Sequence, residues 1–306
     1  MAAYDLDGRP LGRSFVLRGE EGRGTEIRAI AVDEDRRIWA ADAASGCVRI
    51  YNVSGSPVGL VQSVGDPAAD RAGALGDPAG IAVQGVEAET RILVSRRGNR
   101  RHALMVLDPG LAAQGDAAPP RSLVPGGDTR DTYRNLAGVA LEGDRIYACE
   151  AGTGTVQVFR GGEFLFRMVL PRVGGSPDGR TRLEPRLVSP LPDGRVVVAC
   201  GGDSGGALLL LDENGSLVAG LAEGGTEEGT VDFPTGLAVE EGAPRPGTRV
   251  AVLDRDGDRI QIFTLDGRCY GSFPETPEIG PSNPQGARIQ GPGVARAELD
   301  PPPDSD

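Results

Sequence analysis

The feature that most constrains this chain is a repeat. Five short apolar runs, each after a proline or a small-residue turn, open five similar units: "AIAVD" at 29–33, "AGIAVQ" at 79–84, "AGVALE" at 137–142, "RLVSPL" at 186–191 and "TGLAVE" at 235–240. A tight polar turn and a second run follow: "RIWAAD" at 37–42, "RILVSR" at 91–96, "RIYACE" at 145–150, "RVVVACG" at 195–201 and "RVAVLD" at 249–254. A glycine- or asparagine-rich turn then leads to a third run, such as "VRIYN" at 48–52 or "RIQIFT" at 259–264. A weaker fourth run closes most units, as "EFLFRMVL" does at 163–170. The last residues of the second runs, Asp42, Arg96, Glu150, Gly201 and Asp254, step by 54, 54, 51 and 53 residues. Four short strands per unit at this period predict an all-β chain, a β-propeller of antiparallel four-stranded blades. No such unit buries both faces of its own sheet, so neighbours must stack around an axis, with the first strands at the centre.

The two ends of the chain read as halves of one more unit. "MAAYDLDGRPLGRSF" at the start aligns with "QIFTLDGRCYGSF" of the fifth unit, Tyr4 on Phe263, Leu6 on Leu265, Asp7 on Asp266 and Gly8 on Gly267. Residues 2–17 therefore read as third and fourth strands, and "PQGARIQGPGVARAELD" at 284–300 as first and second strands. The expectation is a single six-bladed domain over 1–300. Its last blade is closed by N-terminal and C-terminal strands, an arrangement that removes open sheet edges. The tail 301–306, "PPPDSD", is expected to be disordered.

These units resemble NHL repeats, the six-bladed propeller family. The fifth carries the resemblance best: "VDFPTGLAVEEG" and "TRVAVLDRDGDRIQIFTLDGRCYGSF" supply a Phe-Pro-x-Gly-Leu-Ala-Val opening, Asp254 on the second strand and the "RIQIF" third strand. "GALGDPAGIAV" repeats the glycine-rich approach to a proline, whereas in "EPRLVSPLPDG" Arg186 stands where the glycine is expected. The resemblance covers nearly the whole chain and implies the fold. The activities it implies are various: protein-interaction modules, RNA-binding domains, lyases, lactonases and amidating enzymes. A fold shared this widely does not choose among them.

Composition excludes more than it selects. No run of 18 apolar residues occurs, so no spanning helix is expected. The opening "MAAYDLDGRP" lacks the basic start and apolar run of a secretory signal, and the reading is cytoplasmic. The net charge is −12, and all 32 basic residues are arginine. An acidic surface disfavours nucleic acid and anionic membranes as partners. Cys47, Cys149, Cys200 and Cys269 match no zinc spacing and read as buried reduced thiols. The one histidine, His102, leaves no multi-histidine metal site and no supported serine triad. "GGDSGG" at 201–206 is a loose turn rather than a phosphate loop, since no Lys-Ser/Thr helix follows it.

The candidate residues lie on the face that carries the second-to-third turns and the inter-blade loops. Those loops hold Glu20, Glu21, Asp66, Asp70, Asp77, Asp128, Asp131, Glu223, Glu227, Glu228 and Asp232, an acidic face where binding is expected. "SRRGNRRHA" is its basic exception: Arg96, Arg97, Arg100, Arg101 and His102 bracket one turn and need anions nearby, from a partner or from this protein's own loops. Asp42, Glu150 and Asp254 share one position in three units. They are expected to hold turn amides or to form a carboxylate ring at one channel mouth. "DRDGDR" (Asp254, Asp256, Asp258) looks like a calcium loop but lacks the glutamate at the twelfth position, and a tight hairpin wants the same residues. No catalytic, cofactor or metal residue is assigned, and a calcium ion in the central channel is the one cofactor left open. The reading is a non-catalytic protein-interaction scaffold, an accessory or assembly subunit with a protein partner. The alternative is a metal-dependent hydrolase or lyase, lactonase-like, acting on a small molecule at the channel mouth. RNA binding ranks last, because only 96–102 offers it a basic face.

Overall fold

The structure is a computed structural model that describes residues 2–4, 10–14, 24–63, 66–85, 90–98, 100–107, 121–125, 132–172, 182–203, 205–255 and 259–273. It is an all-β propeller of antiparallel four-stranded blades. Blade one is β3 (Ile27–Val32), β4 (Ile38–Asp42), β5 (Cys47–Tyr51) and β6 (Pro57–Val61). Blade two is β7 (Pro78–Gln84), β8 (Arg91–Arg96), β9 (Leu104–Leu107) and the short β10 (Arg121–Ser122). Blade three is β11 (Leu136–Glu142), β12 (Arg145–Glu150), β13 (Thr155–Arg160) and β14 (Glu163–Val169). Blade four is β15 (Pro185–Pro190), β16 (Val196–Cys200), β17 (Ala207–Leu211) and β18 (Leu217–Ala222). Blade five is β19 (Pro234–Val239), β20 (Arg249–Asp254), β21 (Arg259–Thr264) and β22 (Cys269–Phe273).

Six blades were expected, and five are complete among the described residues. Upstream of them β1 (Ala2–Tyr4) and β2 (Pro10–Ser14) form a two-stranded antiparallel sheet, with Ala2 opposite Ser14 and Tyr4 opposite Pro10. The expected strands at 284–300 and the tail at 301–306 lie outside the described residues.

The strands close into blades because each second strand is apolar on both faces. Along β8, Ile92 and Val94 pack toward blade one while Leu93 packs toward blade three. Along β16, Val196 and Val198 join the cluster shared with blade three while Val197 and Ala199 join that shared with blade five. The two-residue alternation of a strand thus serves two interfaces at once. Between strands three and four, "NVSGS" and "DENGS" make the same turn. Asn52 accepts from the Ser54 and Ser56 amides at 3.0 and 2.9 Å, Asp212 from Asn214 and Ser216 at 2.9 and 2.7 Å, and Gly55 and Gly215 take φ of 83° and 87°. A short polar acceptor followed by a residue free to adopt positive φ is what such a turn needs.

The glycine before the Ile/Val/Leu-Ala core of a first strand has a packing reason. A Cβ on Gly80 would lie 2.8 Å from the Ala137 carbonyl oxygen, and one on Gly138 would lie 2.5 Å from that of Arg186. Neighbouring first strands therefore approach backbone to backbone around the axis. The register also corrects the reading of blade four. Leu187, opposite Ala199, occupies the glycine position, and Arg186 sits one residue earlier, in the unpaired bulge after Pro185. Likewise the last paired residue of that blade's second strand is Cys200, not Gly201.

Candidate functional site

The five first strands, with Ala251 and Leu253 of β20 and Ile260 of β21, line an axial cavity of about 490 Å³. Its wall is hydrocarbon, from Ala29 and Ala31 of blade one round to Val188 and Leu237 of blades four and five. Near its start each first strand breaks register with the second, so one residue escapes pairing and turns toward the axis. In order these residues are Arg28, Ala79, Ala137, Arg186 and Thr235, and all five line the cavity. Arg97, immediately after β8, lines it as well, whereas among the described residues no Asp or Glu does.

The same mouth is riveted by a repeated backbone bond. The residue after each second strand donates its amide to the residue before the first strand: Ala43 to Glu26 at 2.9 Å, Arg97 to Asp77 at 3.0 Å, Ala151 to Asn135 at 2.9 Å, Gly201 to Glu184 at 3.1 Å and Arg255 to Phe233 at 3.1 Å. Arg97 and Arg255 are therefore equivalent positions at the mouth. Phe233 lies between two guanidiniums, with the Arg186 Cζ 3.9 Å and the Arg255 Cζ 3.8 Å from its ring centroid. Carbons this close to the centroid must sit over the ring, so the cations take opposite faces, each drawn by the π-cloud. Burial depresses the Arg186 pKa, with Arg97 and Arg255 adding repulsion and Glu184 opposing them. Arg28 pairs with Glu26 at 2.5 Å, and among the described residues its buried Nε has no hydrogen-bond partner.

The three equivalent acids are buried and hold the chain at this mouth, so they present nothing to a ligand. Asp42 accepts from the Glu26 amide at 3.0 Å and pairs with the Arg49 Nε at 2.9 Å. Glu150 accepts from the Arg134 and Asn135 amides at 3.1 and 2.8 Å, and Asp254 from the Phe233 amide at 2.8 Å. Burial raises the Glu150 pKa against the pull of those amides. For Asp42 the same burial is outweighed by Arg49, the Glu26 amide and Ser45, and its pKa falls. The remainder of the calcium-like loop, 256–258, lies outside the described residues.

The basic cluster is divided rather than presented as a patch. Arg96 is wholly buried, donating to the carbonyls of Pro67 and Ala69 at 2.9 and 3.0 Å, and burial followed by Arg100 lowers its pKa. Arg100 donates to the Ala68 carbonyl at 2.9 Å. Asp70 accepts the Arg101 and His102 amides, both at 3.0 Å, and the His102 Nδ1 meets the Ser122 Oγ at 2.8 Å. Backbone carbonyls, more than the acidic loops, thus satisfy Arg96 and Arg100. Arg97 faces the axis and Arg101 faces solvent.

Sequence reasoning missed Arg28, Arg186, Phe233 and Arg255. For Arg28 and Arg186 the available signal was the residue two before the core of each first strand, read as a column across the units; Phe233 and Arg255 lie outside that column. Among the described residues no three His, Cys, Asp or Glu side chains are grouped to hold a metal ion. Cys47, Cys149 and Cys200 are buried free thiols, and burial pushes the Cys200 pKa up to about 12. Among the described residues no helix is long and apolar enough to cross a membrane.

No protein-family model matches the chain, and no curated protein matches it. Solved propellers do. The outer coat vertex of COPII on membranes aligns with TM-score 0.57 at 10% identity, over 82% of this chain and 62% of that one, so the chain spans about three-fifths of the coat protein's length. The WD40 β-propeller domain of Doa1 aligns with TM-score 0.50 at 13% identity, over 83% of this chain and 70% of that one. A streptogramin B lyase aligns with TM-score 0.51 at 13% identity, over 89% and 74%. Identities this low establish the propeller fold and nothing finer.

Proposed function

We propose that the protein is a non-catalytic interaction module, an accessory or assembly subunit that holds a protein partner on the face carrying its inter-blade loops. The observation that supports this is how those loops are pinned from inside. Arg96 and Arg100 grip the carbonyls of 67–69, and Asp70 grips two amides of the adjoining turn. In blade five, Arg259 donates to the carbonyls of Glu227 and Thr230 at 2.7 and 3.1 Å. Gln261 accepts the Gly229 amide at 2.8 Å and donates to the Thr230 carbonyl at 2.6 Å. Loops fixed before an encounter lose little conformational entropy on binding, which favours recognition by a rigid surface. The propellers it resembles include coat and WD40 proteins, in keeping with such a role.

The finer reading belongs to the same proposal. The chain is an NHL-type propeller of six blades, the last made from β1, β2 and the segment 284–300, resident in the cytoplasm and without nucleic acid or membrane as partner. Its support is the resemblance of the repeats and the two-stranded sheet upstream of blade one.

Affinity capture from native cells tests the interaction. A partner in fixed stoichiometry is expected. Arg101→Glu on the loop face should weaken it by about tenfold, whereas Glu213→Arg, in the opposite-face turn between β17 and β18, leaves it intact. No stoichiometric companion, or equal damage from both substitutions, overturns the assignment.

A further inference from the structure

We propose that the mouth of the axial cavity binds a small apolar carboxylic acid, its carboxylate on Arg97 and Arg186 and its hydrocarbon body along the channel wall. The site shares the loop-bearing face with the proposed partner surface, but it uses Arg97 and Arg186 rather than Arg101. Three observations carry it. The cavity, about 490 Å³, has the size of a small-molecule site, and Ala31, Ile81, Val139, Val188 and Leu237 give it an apolar wall. Among the described residues every charged side chain lining it is an arginine, in a chain whose net charge is −12. Among the described residues the guanidiniums of Arg97 and Arg186 make no hydrogen bond and no ion pair.

That last point is the unusual one. A half-buried guanidinium ordinarily finds a carboxylate or a set of carbonyls, as Arg96 and Arg49 do here. Arg186 instead has a ring face beneath it, with Arg97 and Arg255 as like charges near it and Glu184 near but not in ion-pair contact. Stacking on Phe233, with Arg255 on the other face, fixes the plane of the fork while leaving its N–H edge uncommitted. Arg97 adds a second fork at the same rim. Two planar donors at the end of a hydrocarbon channel match a monoanion with an apolar body. A bare phosphate would leave the hydrocarbon wall unused, and a polyanion meets repulsion from the acidic surface.

Calorimetric titration of the intact protein with decanoate, decanol and decylamine at pH 8 and low salt tests this. Decanoate is expected to bind one per chain, decanol at least about tenfold more weakly, and decylamine not at all. Arg97→Gln and Arg186→Gln should each weaken decanoate about tenfold while leaving decanol unchanged. Arg97→Gln removes no hydrogen bond or ion pair found among the described residues, so it reads the site even if Arg186→Gln disturbs the Phe233 stack. Decanol binding as tightly as decanoate, decanoate binding that survives both substitutions, or no decanoate binding overturns the proposal. So does binding confined to a peptide with a free C-terminal carboxylate. Loss of this site would leave capture of a protein partner through Arg101 untouched, so the two assignments fail separately.

Discussion

At the residue scale, equivalent positions do different electrostatic work. Asp42 and Glu150 end corresponding strands and hold corresponding amides, yet one pKa is lowered and the other raised. The difference is the partner. Arg49 reaches Asp42 from two residues along the next strand, whereas among the described residues Glu150 accepts from backbone amides and the Arg134 side chain acts on it only through its charge. The signs follow by linkage. Asp42 contributes stability above the ordinary aspartate pKa of about 3.9, and that stability is lost as pH falls through its depressed folded value. Glu150 contributes in the opposite direction: its stabilisation is full below about pH 4.3 and is lost as pH rises through its raised folded value. Asp42→Asn should therefore cost about 2–4 kcal/mol at pH 7, because it leaves Arg49 without its anion. Glu150→Gln should cost less and flatten the decline in stability above pH 4. Thermal melts by circular dichroism from pH 3 to 8 measure both, and equal costs with parallel pH profiles would refute the distinction. The acids were legible as a column in the sequence, but their partners were not, since pairing runs across strands. Arg96 and Arg97 make the same point: adjacent in sequence, one is sealed beneath a loop and the other lines the axis.

At the scale of elements, the sequence displayed the strands well because period-two alternation and turn chemistry agree. The Asn52 and Asp212 turns and the doubly apolar second strands could be read directly. What could not be read was register. A bulge near the start of each first strand shifts pairing by one residue, so Arg186 looked like a substituted glycine when Leu187 holds that place. The bulge also creates the column that carries the arginines, and a string of letters does not show which residue escapes pairing. The glycines separate the causes experimentally. A Cβ at Gly138 meets the Arg186 carbonyl oxygen at 2.5 Å, whereas one at Gly220 in β18 meets nothing within 4 Å. Gly138→Ala should force adjacent first strands apart and cost about 1–3 kcal/mol. Gly220→Ala should be neutral or stabilise by up to about 1 kcal/mol through the unfolded chain. Urea denaturation of the two variants decides it, and similar midpoints would show that close approach at the axis is not what Gly138 provides.

At the scale of the whole molecule, the blades are not equally covered. The residue facing the preceding blade at the third position of the first-strand core is nearly buried in the interior blades: Ile81 is 6%, Val139 8% and Val188 7% exposed. Its equivalent in blade one, Ile30, is 47% exposed, and Val32 and Leu253 are exposed too; all three border the axial cavity on the side where no complete blade is described. On the proposed six-bladed reading, the chain beyond 274 contributes to global stability. Removing residues 275–306 should then lower the melting temperature by at least about 5 °C and increase binding of a hydrophobic dye. A point substitution sharpens the test. Ile30→Asp should destabilise the full chain by more than about 1 kcal/mol, because a carboxylate is driven into an interface, and should change the truncated chain little, because the same position then faces water. The difference between the two backgrounds is the coupling that closure requires. If Ile30→Asp has the same small effect in both, the flank of blade one is open, and the ring is not zipped by its own ends.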